Sequence, residues 1–351
     1  MSDSKYPNHA QVCWADDPAC EDHLPPPLYR LESPERLAAV RKGLARAGIL
    51  ETGTRLEVSP ASFEDMSRVH TASYLEQLAN TRGRSGYIDI DTFYSEGSFR
   101  AAVHAAGAAL AMSRQLLHGG FDNGIALTRP PGHHARPSTG KGSCLINHVA
   151  VAACDALAQG ARRVLILDWD AHHGNGTAET FTKDPRVLYV SLHHKGQFPG
   201  TGDAADVGDD DGRGYTVNIP LSAGADGAVY AAAFRRVVCP IVEQYQPDLS
   251  LVSAGYNAHR REPAGGMRLD AHAFAWMTWQ LREALRRGAS QRLGFILEGG
   301  SDLEALEECT HATLEALDRE PSDIDTRMLE ERHSLELDKA CSIQGRFWKL
   351  S

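Results

Sequence analysis

The sequence predicts an α/β domain with a parallel sheet covered by helices on both faces. Two observations carry that expectation. Short runs rich in Val, Ile and Leu recur without polar alternation, as strands buried on both sides do. Stretches of helix length lie between them, so strand and helix alternate along the chain. The 351 residues, 42% hydrophobic and 23% charged, suffice for a large core without disulfides or metal staples.

The elements follow in order. Ser33-Pro34-Glu35-Arg36 reads as a helix start, with Ser33 as N-cap and Pro34 at the first helical position. A helix is expected at 98–117; its most apolar window, 101–117, is Ala-rich, interrupted by His104 and Arg114, and too short to span a bilayer. Strands are expected at 124–127, 164–167, 187–192, 249–253 and 294–297, and further helices at 147–158, 227–244 and 271–287. Residues 200–214 read as a Gly/Asp-rich loop, and its acidic run, Asp209 to Asp211, as a solvated segment rather than a metal site. No internal repeat or low-complexity linker divides the chain. Residues 1–318 are read as one domain, and the charged residues 319–351 as a helical C-terminal appendage.

Composition narrows the function. The chain has 36 Lys and Arg against 46 Asp and Glu, a net charge of −10. That balance argues against a nucleic-acid surface, which needs clustered cations, and is compatible with a cationic substrate. Residues 1–8 lack a basic segment followed by an apolar one, so no signal peptide is expected. The chain is read as cytoplasmic, with no membrane partner; a homo-oligomer is compatible with the sequence. The seven cysteines sit mostly singly in apolar surroundings and are expected as free thiols. Cys13 and Cys20 lie close together, but no second pair completes a zinc finger.

The chemistry collects where the strands end. The first four expected strands lead into Arg129-Pro130-Pro131-Gly132-His133-His134, Asp168-Trp169-Asp170-Ala171-His172-His173, Ser191-Leu192-His193-His194 and Ser253-Ala254-Gly255-Tyr256-Asn257. The last leads into Glu298-Gly299-Gly300-Ser301. Ligands of open α/β sheets bind outside these carboxyl ends. In an extended chain residues two apart share a side, so Asp168, Asp170 and His172 point one way and His173 the other. Asp170 and His172 supply an oxygen and a nitrogen for Zn²⁺, with iron or cobalt open on ligand chemistry. The plain alternative is a polar cap on the next helix. The apolar strand before the pair and the Gly-x-Gly turn after it favour the metal. His133 and His134 follow a rigid Pro-Pro-Gly turn and can act as general base and acid if each has its own partner. Taken alone, they would read as a solvated loop pair.

Together these segments resemble the zinc-dependent histone deacetylase and acetylpolyamine amidohydrolase superfamily, most closely its class II-like bacterial members. The likeness runs from about Ser33 to about Ala316. It rests on Arg-Pro-Pro-Gly-His-His-Ala at 129–135, Asp-Trp-Asp-Ala-His-His-Gly-Asn-Gly-Thr at 168–177 and Phe-Pro-Gly-Thr-Gly at 198–202. It implies a single arginase/deacetylase-like domain with a parallel sheet of about eight strands. It implies zinc, a structural K⁺, and a small acylated amine or acyl-lysine as substrate. Asp170, His172 and the residue at 257 would hold the metal. His133 and His134 would be the acid–base pair, oriented by Asp168 and Asn175. Asp91 matches the rim carboxylate that holds substrate, Phe198 one wall of the acyl tunnel, and Gly299 and Gly300 its floor. Asp168, Asp170, His172, Ser191 and Leu192 match the potassium site, and Arg36 an arginine near the internal acetate channel. The related two-metal arginase branch fits less well, because the chain has a His-His pair and a single Asp-x-His cluster.

Three residues depart from the family pattern. Asn257 stands where the third ligand is Asp. An Asn carbonyl can ligate but brings no charge, so the site would keep about one positive charge and bind metal more weakly. Ser301 stands at the place of a carbonyl-polarising Tyr. Losing one such donor costs roughly 10²–10³ in rate; a water, Tyr256 or the substrate are the candidates to replace it. Ser143 stands where an aromatic wall is usual and widens the pocket. Two functions follow. One is a metal-dependent hydrolase of an N-acyl amine or related small amide, with altered specificity or reduced activity. The other is a degenerate relative that binds an acylated ligand or partner without turnover.

Overall fold

The computed structural model describes residues 12–27, 31–263, 265–288 and 290–350. The leader-free reading of residues 1–8 lies outside them. Ten strands are present among the described residues: β1 (Val12–Asp16), β2 (Thr54–Leu56), β3 (Gly86–Asp89), β4 (Thr92–Tyr94), β5 (Asn123–Leu127), β6 (Val164–Asp168), β7 (Val187–His194), β8 (Thr216–Leu221), β9 (Leu249–Ala254) and β10 (Leu293–Leu297). Eight form one sheet in the order β2-β1-β5-β10-β9-β6-β7-β8, and β3 and β4 make a separate hairpin. Every pairing in the large sheet is parallel.

The five expected strands stand within a residue or two of their predicted bounds. They occupy the interior of the sheet, where both faces are apolar. Along β6, Leu165 and Leu167 enter one core cluster while Val164 and Ile166 enter the other. This is the period-2 alternation of a strand between two helix layers. Strands β1, β2 and β8 were not foreseen. β8 carries Pro220 at an edge, a position where a missing N–H is tolerated.

The helices Ser98–His118, His148–Ala158 and Ala271–Arg286 match expectation closely. Two details differ. The helix expected to start with Ser33 as cap runs Glu35–Arg46 with Pro34 as its N-cap residue and no side-chain cap. The helix expected over 227–244 is interrupted by a wide turn at Phe234–Val238. Pro240 follows two residues later. It lacks an N–H and crowds the carbonyl four residues back, so the regular ladder cannot continue.

The tail is joined to the body. Helix Glu331–Gln344 places Leu337 and Ala340 in the main core. Trp348 packs edge-on against Tyr215, ring centroids 5.6 Å apart. All seven cysteines are free. Asp209, Asp210 and Asp211 are exposed, and Asp210 pairs with Lys183 at 2.9 Å. Among the described residues no helix is long and apolar enough to cross a membrane.

Candidate active site

The carboxyl ends of β5, β6, β9 and β10 converge on one cavity of about 240 Å³. Asp91, His133, His134, Ser143, Asp170, His172, Phe198, Asn257, Gly299, Gly300 and Ser301 line it, together with Arg36 and Glu262. The sequence had singled out all of these but Glu262.

β5 delivers the two histidines through the Pro-Pro-Gly turn. Glu298, at the end of β10, fixes that turn: its Oε2 accepts the N–H of Gly132 at 2.7 Å and of His133 at 3.1 Å. His133 Nδ1 lies 2.9 Å from Asp168 Oδ2, and His134 Nδ1 lies 2.9 Å from Asn175 Oδ1. Asn175 Oδ1 can only accept, so His134 Nδ1 carries a proton and its Nε2 keeps a lone pair. Burial disfavours the His133 cation, but the carboxylates of Asp168, Asp170 and Glu298 raise its pKa to about 10. Burial and the neighbouring His133 and His172 hold His134 well below its usual value. One ring is thus a donor and the other a base at neutral pH, the separation of roles that acid–base chemistry needs. Burial also raises the Glu298 carboxyl to about 7.

The end of β6 turns its side chains as the extended geometry predicted. Asp168 meets His133, and its Oδ2 also accepts from the Tyr189 hydroxyl at 3.1 Å. Asp170 Oδ1 lies 3.2 Å from His172 Nδ1, while His173 turns away to Thr201, at 2.7 Å. Asp168 pairs across the sheet with Ser191, and Leu192 follows it, so the residues expected around K⁺ lie together.

The tunnel walls are unequal. Phe198 stands edge-on to His134, centroids 5.0 Å apart. Opposite it, Gly142 and Ser143 both adopt positive φ, 57° and 63°. A Cβ on Gly142 would lie 2.6 Å from the His134 ring, so the backbone itself forms that wall. Asp91, after the β3 strand, accepts the Gly142 N–H at 3.0 Å, which ties the rim to this wall. Burial and the neighbouring Asp89 raise the Asp91 carboxyl above its usual value. At the inner end, Arg36 is fully buried and donates to the Gly300 carbonyl at 2.5 Å, to the Glu298 carbonyl, and to Glu32 at 2.9 Å.

Ser301 and Tyr256 do not restore a phenol-like donor. The Ser301 hydroxyl donates to Glu262 Oε2 at 2.8 Å, and Glu262 Oε1 accepts the N–H groups of Ser301 and Asp302 at 2.6 and 2.7 Å. Tyr256 is buried with its hydroxyl 3.3 Å from Thr313. It is therefore ruled out as the stand-in, because its hydroxyl is turned into the helix layer. The sequence reading missed Glu262, which sits in an Arg-Arg-Glu-Pro run that looks like a solvated charge cluster.

The donor set does not fit a divalent metal. Asn257 Oδ1 accepts the Ala171 N–H at 2.7 Å, and its Nδ2 donates to Asp170 Oδ1 at 2.7 Å and lies 3.0 Å from His172 Nδ1. The amide nitrogen, not the expected carbonyl, faces Asp170 and His172. An amide nitrogen has no lone pair to offer a cation. Among the described residues no group of three His, Cys, Asp or Glu side chains is placed to hold a metal ion.

Similarity to known proteins extends over most of the chain. The sequence profile of the histone deacetylase domain matches residues 30–317. A probable deacetylase of Archaeoglobus fulgidus is 35% identical over 91% of this chain and 93% of its own length. A histone deacetylase-like amidohydrolase of Pseudomonas aeruginosa is 37% identical over 87% of this chain and 79% of its own. The crystal structure of the HD domain of HDA15 superimposes with a TM-score of 0.90 and 35% identity, covering 96% of this chain and 97% of that one.

Proposed function

The chain belongs to the histone deacetylase domain family, and from that premise we propose that its pocket takes the acyl end of an N-acylated amine as a deacetylase-type amide hydrolase of reduced activity. One observation carries the reading: His133 and His134 line the cavity, and each is held by its own partner, Asp168 and Asn175. His133 Nε2–H is the donor for the acyl oxygen, and the His134 Nε2 lone pair accepts a proton from an attacking water and returns it to the amine nitrogen as the C–N bond breaks. Phe198 and the Gly142–Ser143 wall flank the acyl chain, and Asp91 at the rim receives the amine side of the ligand. Reduced activity follows from Ser301, whose hydroxyl is committed to Glu262. The ends of β6 and β7 are proposed to hold K⁺ through Asp168, Asp170, His172, Ser191 and Leu192. The Ser191 hydroxyl lies 2.8 Å from His193 Nδ1 and, donating to it, keeps oxygen lone pairs free for a cation.

The test is a panel of acetylated and longer-chain acyl-lysine peptides and monoacylated diamines, read for both binding and release of free amine. Slow release that disappears in His134→Ala and rises roughly 10²-fold in Ser301→Tyr is expected. Neither binding nor release across the panel would overturn the reading. A second reading, an acyl-amine binder without turnover, is favoured by the orientation of Asn257. Saturable binding with no release in either protein would select it.

A further inference from the structure

We propose that the Asn257 carboxamide takes the place of the cation, so that the pocket is complete without a metal and does not retain zinc. The orientation of the amide is fixed by its partners. Its carbonyl sits 2.7 Å from the Ala171 N–H, which can only donate. Turning the amide over would set two donors against each other there. It would also set the carbonyl oxygen against the Asp170 carboxylate across 2.7 Å. Both contacts would be lost hydrogen bonds at a site where Asp170 is fully buried and Asn257 nearly so.

Asp170 is satisfied by protein donors alone. Its Oδ1 accepts from the His172 N–H at 2.8 Å and from Asn257 Nδ2, and its Oδ2 accepts from the Gly299 N–H at 3.0 Å. An Asp at 257 would keep the bond to Ala171 with one oxygen. Its other oxygen would face Asp170 and His172 with a lone pair and a negative charge, and would need a cation between them. The two side chains are nearly isosteric, yet one demands a metal and the other supplies an N–H where the metal would be.

Zinc content reads this without any substrate, so its outcome is independent of the acyl-amine reading. The purified chain is stripped with chelator, titrated with Zn²⁺ against a coloured zinc chelator, and compared with Asn257→Asp, His172→Ala and the double variant. The natural chain is expected to hold no zinc against the chelator. Asn257→Asp is expected to hold one, roughly ten- to a hundredfold more tightly, and to melt at a higher temperature when zinc is added. His172→Ala should leave the zinc content of the natural chain unchanged and abolish the zinc gained by Asn257→Asp. One zinc bound by the natural chain as tightly as by Asn257→Asp would overturn the proposal. So would an Asn257→Asp protein that is folded, with a single cooperative thermal transition, and gains no zinc.

Discussion

Glu262 accepts three hydrogen bonds from the Ser301–Asp302 turn, and this single carboxylate decides how that corner of the pocket is built. It holds the Ser301 hydroxyl away from any acyl oxygen. Removing it leaves two backbone donors and a hydroxyl short of partners in a mostly buried place. Glu262→Ala should therefore cost about 2 kcal/mol, read as a lower urea midpoint at unchanged slope. Glu262→Gln, which keeps one acceptor oxygen, should cost less. Equal midpoints for Glu262→Ala and the natural chain would show that water replaces the carboxylate freely. Most of the site was legible at this scale, because His133, His134, Asp168, Asp170 and Asn175 fall in contiguous motifs whose spacing fixes their direction. The role of Asn257 was not. Its identity was plain, but which end of the amide faces the pocket depends on the Ala171 N–H, a partner 86 residues away. Glu262 was hidden for a related reason: what makes it a pocket residue is the approach of a separate strand end.

Among the elements, five of the six interior strands announce themselves, while the interior β1 and the two edges do not. β5, β6, β7, β9 and β10 lie between two apolar layers and so read as unbroken hydrophobic runs. β2, at one edge, is three residues long and largely exposed, and β8, at the other, contains a proline. β2 is too short to show a pattern, and in β8 the alternation of Val217, Ile219 and Leu221 is broken up by the proline, which argues against a strand. The tail is helical as expected, and its packing adds to that reading. Its charge suggested an appendage, but charge describes only the outer face of helix Glu331–Gln344. Its inner face covers the wide-turn helix and β8, with Leu337 fully buried. Leu337→Ala should cost about 2–5 kcal/mol, and chains ending before this helix should lose cooperative thermal unfolding. A Leu337→Ala protein with the natural melting temperature would return the tail to the status of an ornament.

Across the whole molecule, histidine burial sets the acid limit of stability. Burial lowers His23, His70, His148 and His193 from 6.5 to about 4. Each stays neutral in the fold between those values, whereas the unfolded chain binds the proton. The unfolded state therefore holds more protons, and stability must fall as pH drops from about 6.5 towards 4. Glu298 opposes this. Its carboxyl, raised from 4.5 to about 7, keeps a proton in the fold that the unfolded chain releases, so it offsets one of the four over that window. His134 and His173, also held well below 6.5, add to the acid-side loss, so the histidines outnumber the one carboxyl and each proton of difference is worth about 1.4 kcal/mol per pH unit. On the alkaline side the sign reverses. His133, raised to about 10, holds its proton in the fold after the unfolded chain has lost it, and that stabilisation fades as pH climbs through 10. Stability should peak near neutrality and fall more steeply on the acid side. Urea midpoints at pH 7, 6 and 5 read the slope directly. His148 Nε2–H donates to the Pro130 carbonyl at 2.9 Å, so His148→Gln can keep that bond without titrating. It should remove about one proton from the acid slope. Midpoints that do not change between pH 7 and 5 would mean that these rings find water in the fold, and that the core around the site is less dry than its packing implies.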